Sequence, residues 1–151
     1  MACPYFVPRE IVNDSSWLHP LRLPLAAGWS GGCCASGQEI TPPDSMVREL
    51  CNLGNGTGCP HLPRDRDWDA VRFSVARTSP NQITLCYVCE LAHAPVEHGK
   101  LMFDRIEERW VNPHADERVQ RLAASYLQAS RMRQNPPVVV DEVLDANEKM
   151  A

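Results

Sequence analysis

Residues 51–63 read CNLGNGTGCPHLP: two cysteines with seven residues between them, three of those glycine, and a proline directly after the second cysteine. Such a stretch builds no apolar core of its own. Glycine permits left-handed backbone and close approach to a bulky group, and a proline after a cysteine stiffens a loop. The pattern reads as a loop wrapped around a metal ion or an iron–sulfur centre.

The same composition extends to the start of the chain. Residues 1–64 hold eight of the 13 prolines, seven of the eight glycines and five of the seven cysteines. LHPLRLPLAAGWSGGCC (18–34) fits neither helix nor long strand. A segment this poor in patterned apolar residues needs a staple, and ligation supplies roughly 10 kcal/mol or more of folding free energy in zinc peptides. Cys3, Cys33 or Cys34, Cys51 and Cys59 give four ligand positions, and Cys33, directly after Gly31–Gly32, is preferred over Cys34. Glycine amides are expected to point at the sulfurs, and Tyr5, Phe6, Trp17 and Trp29 to shield the centre. None of these cysteines forms the C-x₂-C knuckle common in zinc sites, so a [4Fe–4S] cluster is preferred, with zinc as the alternative.

The wider composition limits the function classes. The chain has 151 residues, 44% hydrophobic and 23% charged, which suits one globular domain. No apolar run approaches membrane-span length. MACPYFVPRE (1–10) lacks the basic start and apolar stretch of a signal peptide, so cytoplasmic location is the expectation, and an odd number of cysteines argues against a disulfide framework. A net charge of −4 argues against a nucleic-acid surface. The arginines of DRIEER and ADERVQR alternate with acids and read as a solvated mixed face.

Downstream, regular structure is expected. A short helix runs from Pro42 to about Cys51, capped by Thr41 and ended by Gly54. AVRFSVART (70–78) and ITLCYVCE (83–90) alternate as two strands of a hairpin around SPNQ. A third strand starts near Leu101, and IEERWV (106–111) is ambiguous between helix and strand. A long helix spans Pro113 to about Gln134, with Asn112 as its cap and Val119, Leu122, Ala123, Tyr126 and Leu127 as its apolar stripe. The expected fold is α+β: a Cys/Gly/Pro-rich, loop-dominated amino-terminal lobe (1–64) packed on a three-stranded antiparallel sheet with one long carboxy-terminal helix (65–135), then an acidic tail (136–151).

Other candidates are weaker. Cys86 and Cys89 have C-x-x-C spacing but lie in a strand pattern, where they face opposite sides, so packing is the favoured role. Glu90 and His93 have the spacing of a di-iron ligand pair, which needs a helix, and Pro95 opposes one. His93, Glu97 and His61 remain candidate proton donors beside a cluster. RDRDWDAV (64–71) reads as a charged corner entering the first strand. There is no P-loop, no G-x-S-x-G and no H-E-x-x-H.

At CPYF (3–6), CNLG (51–54) and DAVRF (69–73) the chain resembles a group of cysteine-rich bacterial proteins. The resemblance implies that the four dispersed cysteines act as a unit, and it implies no activity. The expected function is electron transfer by an iron–sulfur protein, or a place as a small subunit of a redox complex, with a protein partner and with Cys3, Cys33, Cys51 and Cys59 holding the cluster. Four thiolates leave no open iron; three would leave one for substrate. A zinc-stabilised interaction module and a metal-free thiol-redox protein are the alternatives.

Overall fold

The computed structural model describes residues 1–13, 17 and 19–134. It is α+β, with two antiparallel sheets rather than one. Strands β1 (Phe6–Ile11) and β2 (Trp29–Cys33) form a two-stranded sheet; β3 (Ala70–Thr78), β4 (Gln82–Leu91), β5 (Ala94–Asp104) and β6 (Arg109–Trp110) form a four-stranded sheet in that order. A short helix α1 (Asp44–Met46) widens into a π-helical turn, Val47–Cys51, and the long helix α2 covers Glu117–Gln134.

The expected three-stranded sheet is therefore corrected twice. The small sheet escapes a hydropathy reading because β1 carries Pro8 and β2 carries two glycines. Both strands are edges, where proline is tolerated. Gly31 is required there: a Cβ would collide with the Val7 carbonyl oxygen across the pair. In the large sheet, β5 starts at Ala94 rather than Leu101. A two-residue turn, Ala92–His93, joins it to β4, with φ of 49° and 65°. That turn normally shows itself as Asn-Gly. Pro95 is accommodated because β6 pairs only with Phe103 and Asp104, leaving the start of β5 as an edge. β6 resolves IEERWV as turn and strand.

Both helix starts lie later than expected. Pro43 follows Pro42 and holds it extended, so α1 begins at Asp44 and Thr41 caps nothing. Its end is as expected: Gly54 adopts φ 66° and donates its N–H to the Leu50 carbonyl at 2.8 Å. Asn112 does not cap α2. Its side chain pairs with the β5 backbone, accepting from the Met102 N–H at 2.6 Å and donating to the Lys100 carbonyl at 3.0 Å. Asp116 is the cap, accepting the Arg118 N–H at 2.9 Å.

One face of the large sheet meets α2. Val71, Phe73, Ile83, Leu85, Cys89, Leu101 and Phe103 pack with Val119, Leu122, Ala123 and Leu127. Strand alternation and the helical stripe both follow from the sequence pattern. The amino-terminal lobe is less bare than expected. Ala2, Phe6, Leu25, Trp29 and Val47 join the same buried cluster as Val71 and Leu122. Ala2 exchanges two backbone hydrogen bonds with Val71, at 2.7 and 2.8 Å. The acidic tail expected at 136–151 lies outside the described residues.

Candidate metal centre

Four segments converge on one pocket. Cys3 comes from the turn before β1, Cys33 from the end of β2, Cys51 from the π-helical turn and Cys59 from the loop that follows it. All four line the same cavity, together with Tyr5, Phe6, Ala35, Leu50, Gly56, His61 and Leu62. Counted to its open mouth, the space measures about 350 Å³.

Local backbone geometry delivers each sulfur. Both Cys-Pro steps are tight turns with proline in the favoured second position: the Phe6 N–H donates to the Cys3 carbonyl at 3.1 Å, and the Leu62 N–H to the Cys59 carbonyl at 3.4 Å. The Cys3 N–H donates to the Cys51 carbonyl at 3.0 Å, tying two of the thiol-bearing segments together. π-Helical turns often occur at functional sites. This one is pinned by Asn52, which is buried, donates its amide to the Val47 and Trp29 carbonyls at 2.9 and 3.0 Å, and accepts the Trp29 N–H at 3.0 Å.

The thiols are close enough to feel one another. Burial pushes Cys3 up to about 12; Cys33 and Cys59 add to that rise, while N–H groups of Tyr5 and Phe6 aimed at its sulfur oppose it. Burial likewise pushes Cys51 to about 12, with Cys3, Cys33 and Cys59 adding to it. Cys33 is raised by burial and lowered by the Ala35 N–H, which lies 3.5 Å from its Sγ. Backbone donors two and three residues beyond a cysteine favour the thiolate and suit a metal-bound sulfur. These donors are Tyr5, Phe6 and Ala35, not the glycines the sequence reading favoured, because the glycines are used for close backbone approach and turn geometry instead.

Cys34 lies beside Cys33 but outside the pocket lining. Its sulfur lies 3.4 Å from Nη2 of Arg121 on α2. Tyr5 and Phe6 do wall the site. Trp17 and Trp29, expected to shield it, instead line a separate cavity with Arg48 and Asn52; Ala35, Leu50 and Leu62 serve in their place. Of the candidate proton donors, His61 lines the pocket. His93 sits exposed at the β4–β5 turn. Glu97 is held on the sheet by the Tyr87 hydroxyl at 3.1 Å and by His114 Nε2 at 2.7 Å. Cys89 is fully buried against α2, and Cys86 lies half-buried on the opposite sheet face. The charged corner is anchored by Asp69, which accepts from Arg66 at 3.4 Å and from the Ala92 N–H at 3.1 Å.

Arg121 is the residue the sequence reading passed over, since its alternation with acids suggested a solvated face. Among the described residues, no group of three or more of His, Cys, Asp and Glu is arranged to hold a metal ion. No family model, curated protein or solved structure matches the chain.

Proposed function

We propose that the chain binds one [4Fe–4S] cluster through Cys3, Cys33, Cys51 and Cys59 and carries electrons, alone or as a small subunit of a redox complex. The observation that supports this reading is the convergence of four thiols, from four separate segments, on one largely apolar pocket. The donor set fits the group: iron–sulfur clusters are held by four thiolates, and hydrogen bonds to the sulfurs tune their potentials.

When bound, such a cluster stores and releases single electrons. The chain's own contribution is to hold the sulfurs, direct the amides of Tyr5, Phe6 and Ala35 at two of them, and keep water off with Phe6, Leu50 and Leu62. Four thiolates occupy every iron, which favours electron transfer over substrate activation.

The second reading is a zinc-stabilised module that contacts a protein partner. The same four thiols make a complete zinc ligand set, which supports it. Anaerobic purification after growth with iron separates the two. Stoichiometric iron and acid-labile sulfide carry the first reading, and colourless protein with one zinc carries the second. Metal-free protein with every thiol titratable defeats both.

A further inference from the structure

Helix α2 carries four arginines, and three have ready explanations. Arg118 is paired with Asp116 at 2.8 Å, Arg131 with Glu108 at 2.8 Å, and Arg133 is exposed near the helix end. Arg121 is half-buried, and among the described residues no carboxylate pairs with it. Its guanidinium donates twice to the Phe6 carbonyl oxygen, from Nε at 3.3 Å and Nη2 at 3.2 Å, and Nη2 lies 3.4 Å from Cys34 Sγ.

A guanidinium drawn out of water without an opposite charge is costly, and arginine does not shed its proton. One of its acceptors belongs to the cysteine site and the other adjoins it. Phe6 walls the pocket, and Cys34 directly follows Cys33. A centre held by four thiolates is a net anion whichever metal it contains. Apart from His61, which lines the pocket, the loops at 33–38 and 50–63 hold no group that could balance it: they contain no lysine, arginine, aspartate or glutamate. Arg118 is nearby, stacked 5.0 Å from the Tyr5 and Trp68 rings, but Asp116 already matches its charge.

The geometry points to Arg121 as the counter-charge of the cysteine centre, a positioning residue that stabilises the anionic thiolate cage from outside it. The inference rests on the metal reading above. Cys34 then has a role of its own: its sulfur keeps the guanidinium docked and takes no part in ligation. Reduction adds negative charge to the centre, so Arg121 favours the reduced form and raises the potential.

The test compares the full-length wild-type, R121Q and R121K chains, reconstituted anaerobically with ferrous iron and sulfide and titrated with dithionite as the one-electron donor. R121Q is expected to take up wild-type iron and sulfide with its reduction equilibrium shifted roughly tenfold toward the oxidised form, about 59 mV for one electron, and R121K to recover most of that shift. A fully loaded R121Q with the wild-type potential overturns the inference. If R121Q folds but loads no iron, loading restored in R121K supports a charge role, and loading absent from both overturns it. If the wild type binds zinc and no iron, the cluster reading fails and the comparison moves to zinc affinity. There, a tenfold loss in R121Q recovered in R121K supports the inference, and unchanged affinity overturns it. A wild type that binds neither metal removes the metal reading and this inference together.

Discussion

Cys3 and Cys51 share a backbone hydrogen bond, N–H to carbonyl at 3.0 Å, while both side chains enter the same pocket. Main-chain pairing, not the thiols alone, sets their separation. Replacing either sulfur therefore removes a thiol from the pocket without dissolving the frame that presents it.

On the proposed reading, Cys51→Ser and Cys59→Ser lose bound metal, whereas Cys34→Ser keeps it in full. Stabilisation by the metal disappears with it, about 4 kcal/mol where free metal exceeds its Kd a thousandfold. Metal analysis and urea unfolding of the three variants check this. A Cys34→Ser chain that loses its metal would mean the wrong cysteine of the pair has been assigned.

Asn52 is the internal cross-link of the lobe, buried with three hydrogen bonds. Asn52→Ala leaves the Trp29 N–H and carbonyl without partners, and lowers unfolding free energy by about 2–3 kcal/mol. Because Asn52 adjoins Cys51, metal uptake should weaken alongside. Denaturant curves recorded with and without metal separate the two effects.

Asp116 gives α2 an acid-sensitive start. The Arg118 side chain, then its backbone N–H, hold this carboxyl below the usual aspartate range. A depressed folded pKa contributes stability that is fully present above the unfolded value, about 3.9, and is lost as pH falls through the lower folded value. Asp116→Asn keeps a capping side chain but should flatten the unfolding free energy over that acid window. Asp116→Ala should cost about 1 kcal/mol at neutral pH as well. Thermal unfolding followed across pH reads both outcomes, and an Asp116→Asn profile superimposable on wild type would remove the pairing from the account.

The β4–β5 turn stores strain that can be released. Ala92 and His93 both adopt positive φ, a region Asn and Gly accept more readily. The double change Ala92→Asn and His93→Gly should stabilise the chain by about 1 kcal/mol and leave metal content untouched, since His93 lies away from the sulfurs. A drop in bound metal would place His93 in the site after all.

The large sheet and α2 were legible because one pattern served both local structure and burial. Val71 and Phe73 alternate inward, and Val119, Leu122, Ala123 and Leu127 recur at helical spacing. The small sheet was not legible, because Pro8 and Gly31 suppress the strand signal and only pairing across the chain reveals why they are tolerated. Start positions failed for a related reason: Asn112 is as good a cap as Asp116, and tertiary pairing with β5 decided between them. Within the site, Cys33 lines the pocket and Cys34 does not. Arg121 was invisible, since a helical arginine among acids looks solvated until the fold brings Cys34 against it.

The bridge between Ala2 and Val71 has a consequence for synthesis. Chains are made from the amino terminus, at about 5–20 residues per second, so Cys3 emerges well before Cys51, Cys59 and the strand that clamps its own neighbour. Until β3 follows, the first sulfur has no fixed place to stand. A centre assembled on this chain would therefore be acquired after translation has passed most of the lobe, making its delivery a late event, separable in time from production of the polypeptide.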